Sequence, residues 1–325
     1  MIPGLIILLF LFVILLVKSA DLVVVSLRRF SQIAHAKVFV ISAVLLAIAT
    51  SFPELFVGIT SAVEKSSRLT LGNVLGANIA NISLVAGLSA FIVGRVNVHG
   101  DFIKREVWVA LVAAVFPMIL ILDGNLSRVD GIILLGIYVA YMASFFKDRF
   151  MQIAHWHRKE GYIHRFMRNF VHPQLDFHKA KELGRLFIGL ALLLFSADVI
   201  VKIAQEITVD SGIPIFLVGL VLLSVGTTLP ELAFSIRSLE DKEPTMFFGN
   251  LLGSIITNST LILGLSATIY PIQIGSFKEP LFASIAFLVI FITFWLFIRS
   301  KLALQRWEAA ILLVLYLAFV VVEFF

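Results

Sequence analysis

The pattern of hydrophobic and polar positions predicts ten membrane-spanning helices. Apolar runs of about 20 residues are long enough to cross a bilayer as helices. The predicted spans are 4–26, 37–62, 70–93, 105–122, 129–146, 185–206, 213–238, 245–270, 279–298 and 304–324. Five spans precede a hydrophilic stretch and five follow it. The sequence therefore predicts an all-α integral membrane protein with a first five-helix unit at 1–146, a basic linker at 147–184 and a second unit at 185–325.

The two units repeat each other at an offset of 177 residues. A gap-free alignment of residues 45–90 with residues 222–267 gives 20 identities in 46 positions. Thr-Ser-Phe-Pro-Glu at 50–54 aligns with Thr-Thr-Leu-Pro-Glu at 227–231. Because five is an odd number of spans, the second unit must enter the membrane from the opposite side. The chain is therefore predicted to contain inverted repeats, a plan common in secondary transporters, whose sites lie where the repeats meet. The broken helices 2, 3, 7 and 8 are expected to form that central site.

Composition supports the membrane class and excludes several others. Hydrophobic residues make up 60% of the 325 residues and charged residues only 14%, against about 25% charged in soluble domains. Cysteine is absent, which excludes disulfides and thiolate metal sites. The pI near 9.5 does not indicate nucleic-acid binding, because the basic residues lie in short loops beside apolar spans. The expected partner is the lipid bilayer, and the chain is expected to function as a monomer without a cofactor.

The distribution of basic residues predicts the orientation. With the N-terminus outside, the inner loops contain 20 Lys and Arg residues and the outer loops five. Loops on the cytoplasmic side carry the excess of positive charge. The prediction is a multi-pass protein of the plasma (inner) membrane with both termini outside. The five histidines in the linker match no known metal motif and are interpreted as part of a basic amphipathic segment at the lipid surface.

Each proline-containing motif places oxygen donors at bilayer depth. Pro53 and Pro230 lack an N–H and disturb a helix, and exposed backbone at this depth is tolerated only where it lines a cavity or finds partners. The neighbouring hydroxyls and freed carbonyls are hard donors that suit Na⁺ or Ca²⁺. The hydroxyls are those of Thr50, Ser51, Thr227 and Thr228.

Glu54 and Glu231 are the strongest candidates for cation ligands. An acidic residue at the centre of a membrane helix costs about 2.5–3.5 kcal/mol even on the insertion scale. Two facing carboxylates also repel each other. One divalent cation between them, or several monovalent ones, offsets both penalties, so Ca²⁺ and Na⁺ are expected to compete for one site.

Further polar residues on the spans allow two interpretations. Asn81 and Asn258 are either ligands or bridges between helices, and amide oxygens can do both. Asp21 and Asp198 are interpreted as partners of Lys18 and Lys202, because the pairs are three and four residues apart on a helix.

These motifs resemble the α-repeats of the sodium/calcium exchangers within the calcium/cation antiporter superfamily. The resemblance rests on Thr-Ser/Thr-x-Pro-Glu followed by Gly-Asn-x-x-Gly-x-x-x-x-Asn in both repeats. It implies alternating access, with Ca²⁺ exchanged for about three Na⁺ and net charge moved. It also implies that the first and sixth helices slide past the other eight.

The same resemblance implies roles for individual residues. Glu54 and Glu231 would bind Ca²⁺ and take part in Na⁺ sites, while Thr50 and Thr227 would give Ca²⁺ their backbone carbonyls. Asn81 and Asn258 would complete the central site. The Na⁺ donors would be the carbonyls of Ala47 and Ser224 and the hydroxyls of Ser51, Thr228 and Ser254.

Two departures from the family pattern affect the expected stoichiometry. Ala77 stands where the family commonly has Ser, which removes one hydroxyl from a Na⁺ site. Asn258 stands where many relatives have Asp, so the site holds two acids instead of three. The Pro-Glu form of the motif favours Na⁺ as the driving ion, because proton/calcium exchangers typically have Gly-Asn-Ala-x-Glu there.

Three other functions are alternatives to Na⁺-driven antiport. Proton-driven exchange of Ca²⁺ or another divalent ion is the main alternative, since two carboxylates can also carry protons. An intramembrane enzyme is disfavoured, because no His lies near the motifs and the symmetry duplicates every candidate group. A channel would conduct without saturating at low turnover.

Overall fold

The structure is a computed structural model and describes residues 2–33, 50–98, 101–154, 177–275, 278–300 and 302–324. Helices account for nearly all of these residues. The α-helices are α1 (Ile2–Ile33), α2 (Phe52–Val63), α3 (Ser67–Ala80), α4 (Ala86–Val93), α5 (Asp101–Leu120), α6 (Arg128–Ala154), α7 (Phe177–Ser211), α8 (Ile215–Leu217), α9 (Ser224–Thr227), α10 (Leu229–Glu240), α11 (Pro244–Ile256), α12 (Leu263–Ile269), α13 (Lys278–Ser300) and α14 (Arg306–Phe324). Three π-helical segments interrupt them: π1 (Asn81–Val85), π2 (Val218–Leu223) and π3 (Thr257–Ile262). Ile121–Asp123 forms a 3₁₀ turn, and the strands are β1 (Val96–Asn97), β2 (Asn125–Leu126), β3 (Ile272–Gln273) and β4 (Ala303–Leu304).

Seven continuous helical stretches in the described residues are long and apolar enough to cross a membrane. They correspond to the predicted spans 1, 3, 4, 6, 7, 8 and 9. The fifth and tenth predicted spans are also helical, as α6 and α14. The second span is described only from residue 50, where it contains α2. The all-helical membrane class is therefore confirmed, while the count of ten crossings stays a prediction.

The predicted linker at 147–184 is helical at both ends. Helix α6 continues to Ala154 and α7 begins at Phe177, so the helices extend beyond the apolar runs from which their ends were predicted. Residues 155–176 lie outside the described residues, and so do the side chains of all five linker histidines.

In both Pro-Glu motifs a helix begins at the residue before the proline, and in the second motif it follows another helix directly. Thr228 separates α9 from α10 with φ −85° and ψ 2°, and Ser51 precedes α2 with φ −87° and ψ 11°. Pro53 and Pro230 fall in the first turn of the new helix, where an N–H has no intrahelical acceptor. The break therefore places Glu54 and Glu231 in the first turn of α2 and α10, the end of a helix that favours negative charge.

The sequence analysis did not predict the π-helical segments. Two of them, π1 and π3, begin at or next to Asn81 and Asn258. Extra residues inserted into an α-helix as a π-bulge are frequent at functional sites. No proline or glycine lies within π1 or π3, so local composition gave no signal for them.

Close contacts between the two halves form around small residues. Helix α3 packs against π2 and α8, where Gly72 approaches Phe216, Gly76 approaches Leu220 and Gly219 approaches Leu69. Small residues allow two backbones to approach each other in a membrane.

Two short antiparallel ribbons also join the halves. Strand β1 pairs with β4, with Val96 opposite Leu304. Strand β2 pairs with β3, with Leu126 opposite Ile272. Each half therefore supplies one strand to each ribbon.

The buried apolar residues form two clusters. The larger cluster is built mainly by α3–α6 and α10–α14. The smaller one is built mainly by α1 and α7, which pack along each other, with contributions from α2, α3 and π2. The helix pair α1–α7 thus has an apolar core largely of its own.

We predict that Gly76→Ala destabilises the fold. A Cβ at Gly76 would overlap the carbonyl oxygen of Leu220, which is backbone and cannot move alone. Overpacking of this kind typically costs about 1–3 kcal/mol. The measurement is the thermal unfolding midpoint in detergent. Gly136→Ala is the control, because a Cβ there meets no heavy atom within 4 Å; equal midpoints for the two variants would contradict the prediction.

Candidate ion-binding site

Glu54 and Glu231 lie completely buried near the centre of the protein. Both have 0% relative exposure, and their charges are close enough to interact. None of their four carboxylate oxygens has a hydrogen-bond partner. The hydroxyl of Thr227 lies beside Glu54 and that of Ser254 lies beside Glu231, without forming a full hydrogen bond. Negative charge of this kind needs compensation, because burying an unpaired charge costs several kcal/mol or more.

Two threonine–asparagine pairs connect the halves beside the carboxylates. The Thr50 hydroxyl donates to Oδ1 of Asn250 at 3.1 Å, and the Thr227 hydroxyl donates to Oδ1 of Asn73 at 3.3 Å. The two pairs are related by the 177-residue offset of the sequence. Each amide nitrogen is buried without a partner. The matched motifs of the sequence thus lie together across the contact between the halves.

The serine and threonine that follow in each motif are in different environments. The Ser51 hydroxyl lies 3.5 Å from the Ser254 hydroxyl. The Thr228 hydroxyl donates instead to the Ser224 carbonyl at 2.9 Å. The residue aligned with Ser254 is Ala77, which is fully buried and has no hydroxyl. The contact between the Ser51 and Ser254 hydroxyls therefore has no counterpart between the aligned residues Thr228 and Ala77.

Asn81 and Asn258 lie where the π-helices meet the two glutamate helices. Helix α2, which carries Glu54, contacts π3, and helix α10, which carries Glu231, contacts π1. Both asparagines are fully buried. Neither amide atom of Asn81 has a partner, and Oδ1 of Asn258 has none. The structure therefore places the segment that carries each asparagine against the glutamate helix of the other half.

Ser224 and Ala47 complete the set of predicted residues. The Ser224 carbonyl already accepts hydrogen bonds from the Thr228 amide at 3.1 Å and the Thr228 hydroxyl at 2.9 Å. Its hydroxyl donates to the Leu220 carbonyl at 2.5 Å. Ala47 lies outside the described residues.

The structure confirms the predicted ion pair for Asp198, while that of Asp21 stays a prediction. Asp198 accepts a hydrogen bond from Lys202 at 2.8 Å in an ion pair. Asp21 lies within electrostatic range of Lys18.

Sequence reasoning missed three asparagines near the site. Asn250 accepts the hydrogen bond from Thr50, and Asn73 accepts that from Thr227. Their presence in the Gly-Asn part of both repeats was a signal. Asn78, which contacts Asn258, was not singled out, because its aligned residue is Ile255. A repeat comparison selects what is shared and does not select residues present in one half only.

The donor set is entirely oxygen among the described residues. Hydroxyls and amides surround the two carboxylates. In the described part of the chain, no three or more His, Cys, Asp or Glu side chains cluster closely enough to hold a metal ion. Oxygen donors with two negative charges suit small hard cations such as Na⁺ and Ca²⁺ and do not suit soft metals.

Comparisons with known proteins identify the family of this arrangement. The family model described as sodium/calcium exchanger protein matches residues 4–147 and 181–325. The sodium/calcium exchanger MaX1 of Methanosarcina acetivorans is 28% identical, with 95% of each chain covered. The inner membrane protein YrbG of Escherichia coli is 30% identical over 80% of this chain and 78% of its own. A solved structure of the sodium-calcium exchanger NCX_Mj, soaked with Na⁺ and Sr²⁺, has a TM-score of 0.63 at 25% identity and 99% coverage of both chains.

We predict that neutralising either glutamate stabilises the protein when cations are scarce. Glu54→Gln or Glu231→Gln removes one of two repelling buried charges and keeps the side chain's size. The thermal unfolding midpoint in Na⁺-free buffer with a Ca²⁺ chelator should rise. The further increase that added Ca²⁺ gives the unmodified protein by mass action should be lost.

The matched control is Glu106→Gln. Glu106 is a buried carboxylate that accepts a hydrogen bond from Tyr141 at 2.9 Å. Its substitution should not raise the unfolding midpoint and should keep the response to Ca²⁺. A Glu54→Gln variant that still responds fully to Ca²⁺ would contradict the assignment of this carboxylate.

Proposed function

The chain belongs to the sodium/calcium exchanger protein family, and from this membership we propose that it is a secondary antiporter that exchanges Ca²⁺ for Na⁺. The observation that supports the proposal most strongly is the pair of fully buried carboxylates without hydrogen-bond partners. Two of the proteins it resembles, MaX1 and NCX_Mj, are named sodium/calcium exchangers.

The charge of the site accounts for antiport. Two carboxylates are neutralised equally well by one Ca²⁺ or by two Na⁺, but Ca²⁺ and Na⁺ cannot share the same oxygens at once. Each ion therefore displaces the other. Uncompensated charge at bilayer depth is costly. The protein would therefore change access from one side of the membrane to the other only when cations neutralise both carboxylates. Loaded movement in both directions is exchange.

We assign the Ca²⁺ ligands first. Glu54 and Glu231 supply carboxylate oxygens, and Thr50 and Thr227 supply backbone carbonyls. The hydroxyls of these threonines are directed to Asn250 and Asn73, which fixes the backbone at each helix break.

The Na⁺ ligands are proposed around the same carboxylates. Asn81 and Asn258 contribute amide oxygens in the centre. The other donors are the hydroxyls of Ser51, Thr228 and Ser254 and the carbonyls of Ala47 and Ser224. The Ser224 carbonyl would have to give up part of its bonding to Thr228. Exchange of about three Na⁺ per Ca²⁺ would move net charge and requires a third monovalent site beyond simple neutralisation.

The proposed motion is a displacement of α1 and α7 relative to the rest. These two helices pack mainly on each other and share a separate apolar cluster. Their contact with the helices of the larger cluster runs through α2, α3 and π2. A pair with its own core can shift while keeping most of its buried surface covered.

The location and organisation follow the sequence interpretation. We propose a first five-helix repeat at 1–146, a cytoplasmic linker at 147–184 and a second, inverted repeat at 185–325, with ten crossings in total. Both termini would lie outside the plasma (inner) membrane, in agreement with the excess of basic residues in the inner loops.

Proton-driven exchange is the second candidate. Carboxylates without hydrogen-bond partners can accept protons as well as metal ions. The Pro-Glu form of both motifs favours Na⁺. An imposed pH gradient in Na⁺-free solution separates the two, because it drives Ca²⁺ uptake only if protons are the coupling ion.

We predict Na⁺-driven Ca²⁺ uptake by the purified protein in liposomes. Vesicles loaded with Na⁺ and diluted into Na⁺-free buffer should accumulate ⁴⁵Ca²⁺, and external Na⁺ should release it. Glu54→Gln and Glu231→Gln should each reduce uptake at least about a hundredfold, because each removes a ligand and half of the compensating charge.

Vesicles loaded with choline and the Glu106→Gln variant are the controls for that experiment. The first should show no uptake and the second should retain it. Uptake that does not depend on the Na⁺ gradient would reject the proposed coupling.

We also predict that Ala77→Ser strengthens Na⁺ binding. The change adds a hydroxyl at the position aligned with Ser254, next to a fully buried site. The half-maximal Na⁺ concentration for release of bound Ca²⁺ should fall by about threefold to tenfold, which corresponds to the free energy of about one hydrogen bond. Ser254→Ala should shift it the opposite way. An unchanged Na⁺ dependence in both variants would exclude these positions from the Na⁺ sites.

A further inference from the structure

The amide of Asn258 is held by the amide of Asn78, whose aligned residue in the second repeat is Ile255. Nδ2 of Asn258 donates to Oδ1 of Asn78 at 3.2 Å, and Nδ2 of Asn78 donates to the hydroxyl of Ser259 at 2.8 Å. All three side chains are at least 99% buried. The chain of two hydrogen bonds therefore runs from Ser259 to Asn258 inside the protein.

In the structure the Asn258 NH₂ group donates to Asn78, which leaves Oδ1 as the available end of the Asn258 amide. The oxygen and the NH₂ group of an amide are nearly equal in size, so only hydrogen bonds decide between the two orientations. Because the NH₂ group is engaged by Asn78, the oxygen is on the opposite side, where it has no partner. A cation requires that oxygen, whereas the NH₂ group carries partial positive charge and would repel it.

Asn81, the residue aligned with Asn258, has no equivalent hydrogen bonds. The residues aligned with Asn78 and Ser259 are Ile255 and Ile82, which cannot form these hydrogen bonds. The aligned amide, Asn81, has no partner for either of its polar atoms. Asn81 can therefore turn to suit a bound ion, while Asn258 is fixed in advance.

We propose that Asn78 is a positioning residue that holds Asn258 with its oxygen toward the transported cation. The inference rests on the proposed function, because it assumes that Asn258 is a cation ligand. It also supplies a reason why an amide can serve at this position: a carboxylate presents oxygen in either orientation, but an amide must be oriented by a neighbour. Asn78 itself does not bind the ion.

The test is a double-mutant cycle on Ca²⁺ affinity, measured by titration calorimetry on the purified protein. Asn78→Leu removes the acceptor and lets the Asn258 amide turn, so the Kd for Ca²⁺ should rise about tenfold, the size of one buried hydrogen bond. In an Asn258→Asp background the same substitution should change the Kd less than about threefold, since a carboxylate needs no orienting partner. A purely structural role for Asn78 would give the same loss in both backgrounds.

Further variants keep the result interpretable. Asn78→Ala replaces Asn78→Leu if the larger side chain prevents folding. Asn78→Asp keeps an acceptor for the Asn258 amide and should bind Ca²⁺ at least as tightly as the unmodified chain. Ile255→Ala makes a cavity at the aligned position without touching the amides and should leave the Kd unchanged.

The outcomes separate this inference from the proposed function. Equal losses in the two backgrounds, or an unchanged Kd in Asn78→Leu, overturn the inference while the chain still binds Ca²⁺. An unmodified chain that binds no Ca²⁺ contradicts the proposed function, and the inference falls with it. The calorimetric cycle needs no Na⁺ gradient, so coupling to another ion leaves its result valid.

Discussion

Two fully buried carboxyl groups within electrostatic range of each other constrain the whole structure. Glu54 and Glu231 are fully buried, and none of their oxygens accepts a hydrogen bond. Their compensation comes partly from the protein, because each lies in the first turn of a helix whose N-terminal end favours negative charge. Helix ends alone do not balance two charges in a low-dielectric interior. In the proposed function the remaining compensation comes from cations bound by the surrounding hydroxyls and amides.

The two halves share most of this arrangement but differ at a few positions. The helix breaks, the glutamates and the threonine–asparagine pairs occur in both halves. The halves differ where Ala77 aligns with Ser254 and where Asn78 aligns with Ile255. Shared residues are expected to serve the steps that are alike on the two sides of the membrane. The unequal residues make the polar groups around Glu54 and Glu231 different, and under the proposed function successive Na⁺ ions would bind in different surroundings.

The sequence predicted the all-helical membrane class correctly, because long apolar runs are a local signal. The alignment of Glu54 with Glu231 singled out the candidate site, and the structure shows that both carboxylates are buried. The π-helices at Asn81 and Asn258 were not predictable, since they arise from packing between helices and not from local composition. The expectation for Ser224 was also incomplete. Its carbonyl oxygen was expected to be a Na⁺ ligand, yet in the structure this oxygen accepts hydrogen bonds from Thr228. The contact between Asn78 and Asn258 depends on which helices meet, which the sequence pattern does not give.

The central claim is that one cation bridges the two carboxylates and that Na⁺ displaces it. It is tested most directly by an experimental structure determined with anomalous scattering after soaking in Sr²⁺ at low Na⁺ and again at high Na⁺. The account predicts one strong peak within about 2.3–2.7 Å of oxygens from both Glu54 and Glu231, close to the distances of Ca²⁺ sites, and its loss at high Na⁺. A peak bound elsewhere, or one that persists unchanged in high Na⁺, would contradict it.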